Sequence, residues 1–303
     1  TIEINPGENF QAVCLDIVQP GDTCLFHAGV YKYDGWTLRH GTADQRITLR
    51  GEKGATIMGS NDRDRVLHIA HDYFTVEDLI FDGNHGSGSY ATTAIFAISE
   101  ALPAIKNGVL SGVTGTKLIN LDIHDFGQEC VHFKFFATNN EVKGCNIADC
   151  GKEDFENGGS GKVGEGIYIG TSLSQINNGR SPENGIDESR DNWVHSNTIR
   201  TNAAECVECK EGATNNVIED NICSGQRDAK SGGMGSRGSG NIFRNNDISD
   251  CLGAGVRLGG DEGIKLGYGV NNDVYGNTIS DTQEGGFMVK TGPQGLMCEN
   301  KLD

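Results

Sequence analysis

The feature that most constrains the fold is a nine-residue segment that recurs five times after residue 138. Each copy has a polar pair at its start, an apolar residue fourth, usually Asn seventh, and Ile or Cys ninth. The copies are NNEVKGCNI (139–147), DNWVHSNTI (191–199), NNVIEDNIC (215–223), GNIFRNNDI (240–248) and NNDVYGNTI (271–279). Where no insert intervenes, the copies follow one another at about 24 residues, which is the period of a solenoid coil.

A second short strand follows most copies of the segment. The second strands are CVHFK (130–134), GIYIG (166–170), CVECK (206–210), GMGSR (233–237), GVRLG (255–259) and GFMVK (286–290). A unit with two or three short alternating strands and Asn at a fixed corner is typical of one coil of a parallel β-helix. We therefore expect Asn197, Asn221, Asn246 and Asn277 to form a structural hydrogen-bonded ladder.

The whole chain of 303 residues is accordingly predicted to be all-β, a single-domain right-handed parallel β-helix with loop inserts. Residues 1–30 are expected to cap its N-terminal end. The Gly/Ser/Asn-rich stretches 152–164 and 171–190 are predicted to be loop inserts that wall a groove. A propeller or a sandwich would not explain the fixed register of the Asn residues.

Composition limits the partners. The net charge of −17 opposes binding to nucleic acid, and no apolar run is long enough to cross a membrane.

Ten Cys predict an oxidising compartment and hence secretion, with Cys14/Cys24 and Cys145/Cys150 as local disulfide pairs. A zinc site at Cys206 and Cys209 is the weaker interpretation, because no second ligand pair follows. We expect a monomer.

The two-residue period of a strand predicts which side chains of the second strands point away from the core. One outward column comprises His132, Tyr168, Glu208, Gly235, Arg257 and Met288. The next comprises Lys134, Gly170, Lys210, Arg237, Gly259 and Lys290. Stacked cations disfavour each other unless an anion compensates them. In a chain with 42 acidic residues, this cationic column therefore predicts a groove that binds a linear polyanion.

Three stretches of the sequence resemble the parallel β-helix polysaccharide lyases of the alginate lyase and chondroitinase B group. They are PGDTCLFHAGVY (20–31), ITLRGEKGATIMGS (47–60) and, most specifically, AECVECKEGATNNVIEDN (204–221) followed by GSRGSGNIFRNN (235–246). The resemblance implies that Lys210 is the catalytic base and Arg237 the acid. It also implies that Glu205 and Glu208 are ligands of a calcium ion.

Elimination from a uronate needs a cation to stabilise the enolate, a base, and a proton donor. Lys210 acts as a base only if its pKa is depressed, and the neighbouring Arg237 favours this. Tyr168, one coil earlier, is either the donor or an alternative base. Arg237 is better suited to binding the uronate carboxylate. His132, Lys134, Arg257 and Lys290 are expected to extend the binding of an acidic polysaccharide.

Three other functions remain open from the residues alone. A C5-epimerase would share the proton abstraction. A glycoside hydrolase would need two facing carboxylates, for which Asp187/Glu188 and Asp261/Glu262 are available, although both pairs fall in predicted loops. A non-catalytic β-helix would bind the polysaccharide through the same cations without cleaving it.

Overall fold

The computed structural model describes residues 1–60, 65–86, 88–99, 104–106, 109–155, 162–175, 186–260 and 266–303. These residues form three long parallel sheets, named here sheets I, II and III, and the chain visits them in turn as it coils. Each strand pairs with its equivalent in the next coil, so residues one coil apart stack directly. The prediction of an all-β parallel β-helix is confirmed.

Sheet I contains the strands Ile2–Ile4, Thr23–Phe26, Ile47–Gly51, Phe74–Glu77, Lys117–Ile119, Glu141–Lys143, Trp193–His195, Val217–Glu219, Ile242–Arg244, Asp273–Tyr275 and Met297–Cys298. Sheet II contains Gly29–Tyr31, Ala55–Ile57, Ile80–Asp82, Asp122–His124, Asn146–Ala148, Thr198–Arg200, Ile222–Ser224, Asp247–Ser249, Thr278–Ile279 and Lys301–Leu302.

Sheet III contains Gly35–Trp36, Arg65–Ile69, Thr93–Ile98, Val131–Lys134, Ile167–Ile169, Val207–Cys209, Gly232–Ser236, Ala254–Leu258 and Phe287–Val289. Two small antiparallel hairpins leave the coils, and they pair Asn84–Gly86 with Ser89–Tyr90 and Ala104–Lys106 with Val109–Ser111. Helical segments are short: Gln11–Leu15, Lys152–Phe155 and Leu173–Gln175. Among the described residues, none of the helices combines the length and apolar character that crossing a bilayer requires.

Aliphatic side chains stack inside the coils. In sheet III the inward stack runs through Val131, Ile167, Val207, Met234 and Val256, and all five side chains are fully buried. Because the inward positions alternate with outward ones, this stack fixes which residues of sheet III face away from the core.

Two Asn ladders bind the coils together. The predicted ladder is confirmed: the side-chain amide of each Asn donates to the next in the series Asn197, Asn221, Asn246, Asn277 and Asn300. A second ladder joins Asn140, Asn192, Asn216 and Asn241 in the same way, and the backbone amide of Asn241 continues it by donating to Asn272 Oδ1. Its members stand at the second position of the recurring segment, which the sequence showed only as part of a polar pair.

Three pairs of cysteines form disulfides: Cys14–Cys24, Cys130–Cys150 and Cys206–Cys223. The Cys14/Cys24 pairing is confirmed, and the Cys145/Cys150 pairing is wrong. The strand Asn146–Ala148 separates Cys145 from Cys150, and an extended strand holds such residues about 3.3 Å apart per position, too far for a disulfide. Cys145 is buried as a free thiol. The pairing of Cys206 with Cys223 also removes the zinc interpretation of Cys206 and Cys209.

The predicted N-terminal cap, residues 1–30, consists of a helical segment that packs on the first coil and of strands that already belong to the sheets. The helical segment Gln11–Leu15 places Leu15, together with the preceding Phe10, against Gly35 of the first strand of sheet III. The other strands of this region are already the first strands of sheets I and II.

Candidate active site

The outer face of sheet III carries the predicted outward column. His132, Tyr168, Glu208, Gly235, Arg257 and Met288 pair directly from coil to coil. Before them, the same position holds Trp36, His68 and Phe96. The column is therefore aromatic over its first coils and charged over the later ones.

The charged side chains at the centre of this face point away from the core, as predicted, but they are not solvated. Lys210 is 4% exposed, His132 is 4% exposed, and Glu208 is fully buried. Ionised groups withdrawn from water need partners. Those partners decide the chemistry of the site.

A groove of about 730 Å³ lies over this part of sheet III. His132, Lys134, Tyr168, Lys210 and Arg237 all line it. Its walls include Glu153, Lys162 and Val163 from one predicted insert, and Ser172, Ser174 and Gln175 from the other. The remaining parts of the two inserts, 156–161 and 176–185, lie outside the described residues.

Lys210 forms the centre of the cluster. Its Nζ donates to Glu165 Oε1 at 2.9 Å and lies 4.1 Å from the centroid of the Tyr168 ring. Burial and Arg237 act to lower the pKa of Lys210, but Glu165, Tyr168 and Glu208 outweigh them, and the pKa is raised. The resting side chain is thus an ammonium ion. This contradicts the sequence-based expectation of a depressed pKa, which considered Arg237 without Glu165.

Tyr168 keeps its proton as well. The side chain is 6% exposed, and burial raises the pKa of its phenol despite the attraction of Lys210 and Arg237 for the phenolate. Its hydroxyl oxygen accepts a hydrogen bond from the Ser172 amide at 3.3 Å. A neutral phenol held beside an ammonium ion is equipped to donate a proton.

Two carboxylates hold Arg237 in place. Its Nε donates to Glu208 Oε1 at 2.8 Å, and its Nη1 donates to Glu211 Oε1 at 3.2 Å. These carboxylates raise the pKa of Arg237 against the effect of burial, so its guanidinium remains charged. Because the side chain is still 19% exposed, it can meet an anion in the groove.

The absence of a side chain at Gly235 makes room for Glu208. A Cβ atom at Gly235 would lie 1.9 Å from Glu208 Oε2, so any larger residue in the next coil would displace the carboxylate. Burial and Glu205 raise the pKa of Glu208, while Lys210, Arg237 and Arg257 oppose that rise. Glu208 therefore orients Arg237 from beneath and does not line the groove itself.

His132 is held by two acceptors. Its Nδ1 lies 2.9 Å from Glu129 Oε1, and its Nε2 lies 2.9 Å from the carbonyl oxygen of Gly170. Burial disfavours ionisation of Glu129, but its bond to His132 lowers the pKa of this carboxyl to about 2. The carboxylate and the carbonyl oxygen are both acceptors, so the two contacts fix the orientation of the His132 ring on the floor of the groove.

The other predicted binding residues are placed differently. Lys134 lines the groove with its Nζ 5.0 Å from the Phe135 ring centroid. Arg257 pairs with Gly235 in the column, and Lys290 follows the last strand of sheet III, but neither lines the groove. The structure thus brings together five predicted groove residues and leaves these two beyond the C-terminal end of the groove.

Glu205 and Glu208 do not present a calcium site. Glu205 accepts a hydrogen bond from Ser231, and Lys210 and Arg257 help to hold its pKa below the ordinary value despite burial. Glu208 is engaged by Arg237 and lies 3.9 Å from Lys210 Nζ. Calcium needs six to eight oxygen ligands, whereas Lys210, Arg237 and Arg257 already neutralise these carboxylates and, of their buried oxygens, only Glu208 Oε2 has no hydrogen-bond partner among the described residues. We derive no step through calcium.

Of the candidate hydrolase carboxylates, the described pair Asp187/Glu188 does not line the groove. Asp187 is fully buried and accepts hydrogen bonds from the amides of Phe135 and Phe136 and from the Thr171 hydroxyl. It therefore fastens the chain after the strand Val131–Lys134. The pair Asp261/Glu262 lies outside the described residues.

Sequence reasoning missed a column of glutamates. The register that aligns Val131, Ile167 and Val207 also aligns the residues two positions before them, Glu129, Glu165 and Glu205. The signal was present as ECV, EGI and ECV at the start of three successive second strands. These carboxylates pair with His132 and Lys210, and they explain how cations can be stacked on this face.

Comparisons with known proteins support the fold. Residues 184–303 match the family described as "Right handed beta helix region". A search of curated proteins found no match to this chain.

Three solved structures are similar over nearly the whole chain. Alginate lyase from Paenibacillus sp. str. FPU-7 is 19% identical with a TM-score of 0.75, and the match covers 99% of this chain and 98% of that one. ORF18 of Geobacillus virus E2 is 12% identical with a TM-score of 0.65, covering 97% and 55%. Pectate lyase Pel9A is 11% identical with a TM-score of 0.56, covering 95% and 73%. At these identities the likeness shows the fold alone.

Proposed function

We propose that this protein is a secreted polysaccharide lyase that cleaves a uronate-containing acidic polysaccharide by β-elimination. The observation that carries the proposal is the cluster of Lys210, Tyr168 and Arg237 on the floor of the groove, with Lys210 Nζ 4.1 Å from the Tyr168 ring centroid. A base, a proton donor and a fixed cation within one groove are the three groups that elimination requires.

Arg237 is assigned to the uronate carboxylate. The proton at C5 of a uronate is weakly acidic until the negative charge of its carboxylate is neutralised. A guanidinium ion that is anchored by Glu208 and Glu211 offers that neutralisation without reorganising. Its constant charge makes it unsuited to the role of acid that the family resemblance implies.

Lys210 and Tyr168 divide the proton transfers. Lys210, as its free amine, takes the C5 proton, and the electrons of that bond form the double bond between C4 and C5. The bond from C4 to the glycosidic oxygen then breaks, and Tyr168 protonates the departing oxygen. The raised pKa of Tyr168 keeps its phenol protonated until the departing oxygen takes the proton. Lys210 must first release its own proton, for which Glu165 at 2.9 Å is an adjacent acceptor.

Hydrolysis is less well supported by the same residues. A glycosidase needs a carboxylic acid that stays protonated near neutral pH. Three carboxylates line the groove: the pKa of Glu129 is lowered to about 2, Glu165 is paired with Lys210, and Glu153 stands on the wall. Two of the structurally similar proteins are an alginate lyase and a pectate lyase, which agrees with elimination.

The proposed location outside the cell rests on cysteine chemistry. Three disulfides, Cys14–Cys24, Cys130–Cys150 and Cys206–Cys223, are typical of proteins from oxidising compartments. An extracellular enzyme would also meet acidic polysaccharides directly.

The test is incubation of the wild-type protein with alginate, glucuronan, pectate and chondroitin. Ultraviolet absorbance of an unsaturated uronate is expected to rise with at least one polymer, and the rise is expected to persist in EDTA because the protein's own cations surround Glu205 and Glu208. New reducing ends without that absorbance would mean hydrolysis. Binding without either signal would leave the protein as a carbohydrate-binding β-helix and would overturn the proposal.

A further inference from the structure

A second cavity, of about 1000 Å³, lies over the first coils of sheet III. Trp36, Tyr33 and Leu38 supply its apolar surface, and Lys32 and Arg65 supply its positive charge. The active-site cluster does not include any of these five residues. Arg65 also lines the groove that contains Lys210, so the two cavities share a wall.

The same column of sheet III joins the two cavities. A row of rings in contact runs from Trp36 through His68, Phe96 and His132 to Tyr168, with centroid separations between 3.8 and 5.5 Å; the first pair is stacked and the later pairs are edge-to-face or tilted. From Trp36 to Glu208 the register counts five coils, which at about 4.8 Å each is roughly 24 Å. A linear chain of sugars in the groove would run parallel to this column.

Trp36 is built as a rigid platform. Its indole stacks on the His68 ring at 3.8 Å with an interplanar angle of 29°. Its amide donates to Gln11 Oε1 at 2.7 Å, and Gln11 Nε2 donates to its carbonyl at 3.2 Å. The side chain remains partly exposed, and flat aromatic surface with little freedom to lose is suited to packing against the face of a sugar ring.

The charges of the cavity suit an acidic sugar. Lys32 and Arg65 are exposed, and the Arg65 guanidinium lies 3.8 Å from the Phe96 ring centroid. The acids of the same cavity have acceptor oxygens engaged within the protein. Asp34 accepts from the Ser60 amide at 2.9 Å, and Asp16 accepts from Gln11 Nε2 at 2.6 Å.

We propose that the Trp36 cavity is a distal subsite that binds a uronate unit of the same polysaccharide chain, several sugars away from the unit that reacts at Lys210. The inference rests on the proposed function for the identity of the ligand. It predicts that long chains bind more tightly than short oligosaccharides, because only a long chain reaches both Lys210 and Trp36.

The chain has two tryptophans, which allows a direct binding test. In Trp193→Phe the remaining tryptophan is Trp36, and in Trp36→Phe it is Trp193, which lies on sheet I. Each variant is titrated with alginate, glucuronan, pectate and chondroitin, with dextran as a neutral control. Saturable fluorescence change is expected with an acidic polymer in Trp193→Phe and is not expected in Trp36→Phe. No change in Trp193→Phe with any of the four acidic polymers would overturn the inference.

Kinetics provide the second readout. Trp36→Ala is expected to raise KM for the polymer about tenfold. With a trisaccharide as substrate, both kcat and KM are expected to stay unchanged, because a short chain bound at Lys210 does not reach Trp36. Equal effects on both substrates would contradict a distal subsite. If the protein catalyses elimination but Trp36 fluorescence does not change on titration, the distal subsite is refuted and the lyase function is retained. If Trp36 fluorescence changes but no elimination occurs, the binding site is retained and the lyase function is refuted.

Discussion

Sheets I and III both carry rows of charged and aromatic residues on their outer faces, but the ion pairs of sheet I leave their cations open to solvent, whereas Lys210 and Glu208 of sheet III are both buried. On sheet I, Glu219 binds Arg244 at 2.5 Å, and Lys117 binds Glu141 at 3.1 Å. The cation of each pair is open to solvent, since Arg244 is 37% exposed and Lys117 is 43% exposed, while Glu219 and Glu141 are 10% and 16% exposed. On sheet III, Lys210 and Glu208 are at most 5% exposed.

This difference between the two sheets shows that the strand register determines where charged side chains lie, whereas their burial determines how far their pKa values shift. Exposed ion pairs are screened by water and contribute little. The pairs of sheet III lie beneath the groove walls, where the same residue types shift the pKa values of Lys210 and Tyr168 and hold Arg237 rigid. Each group of the sheet III cluster has a counterpart on sheet I, and the counterparts serve as matched controls.

The largest expected difference is between the two lysines. Lys210→Met removes the proposed base and is expected to lower the rate of elimination by about a thousandfold or more. Lys117→Met removes an exposed partner of Glu141 and is expected to leave the rate unchanged. The measurement is ultraviolet absorbance of the unsaturated product on the preferred polymer. Comparable activity of the two variants would remove Lys210 from the mechanism.

The next contrast concerns stability. Glu208→Gln removes a buried carboxylate that binds Arg237, and the free energy of unfolding is expected to fall by about 3 kcal/mol. Glu219→Gln removes the equivalent partner of exposed Arg244, and a loss of at most about 1 kcal/mol is expected. Urea denaturation followed by circular dichroism measures both. Similar losses would show that the sheet III pair is not energetically distinct.

The tyrosines provide the third contrast. Tyr168→Phe keeps the ring beneath Lys210 but removes the proton that the leaving oxygen receives, so kcat is expected to fall about a hundredfold. Tyr275→Phe removes a hydroxyl that accepts from Arg244 Nη1 at 3.0 Å on sheet I, and no change in kcat is expected. Steady-state kinetics at saturating polymer test both. Unchanged kcat in Tyr168→Phe would assign the donor role elsewhere.

The smallest expected effect is a displaced pH profile. Because the pKa of Lys210 is raised, its free amine becomes more abundant as pH increases, and kcat/KM is expected to rise from neutral into alkaline pH. Glu165 raises that pKa, so Glu165→Gln is expected to shift the rising limb to lower pH by about one unit. Glu141→Gln, which changes the partner of Lys117, is expected to leave the profile in place. If the rising part of the pH profile does not move in Glu165→Gln, Glu165 does not control the pKa of the catalytic base.

Sequence could predict the fold and the columns because both follow from periodicity. The Asn residues mark one corner of each coil, and the alternation within CVECK and GIYIG fixes Glu208 and Tyr168 as outward neighbours. Local spacing also found the Cys14–Cys24 disulfide. It failed for Cys145, because the partner of Cys150 is Cys130, which lies just before the strand Val131–Lys134 of sheet III.

The electrostatics of the site could not be predicted in the same way. The pKa of Lys210 depends on Glu165, which is 45 residues away in sequence but one coil away in space. The burial of the cluster depends on walls drawn from two inserts without a repeat, and the sequence gives no measure of how closely they cover it. The column of Glu129, Glu165 and Glu205 could have been predicted from the sequence, because the register that aligns Val131, Ile167 and Val207 also aligns these three residues.

Mass spectrometry of the products formed in water enriched in heavy oxygen tests the central claim most directly. Elimination breaks the bond between C4 and the glycosidic oxygen without consuming water. The account therefore predicts chain fragments with unsaturated, unlabelled ends, each pair lighter by one water molecule than hydrolysis would give. Incorporation of heavy oxygen into the newly formed ends, with no unsaturated fragment, would contradict it.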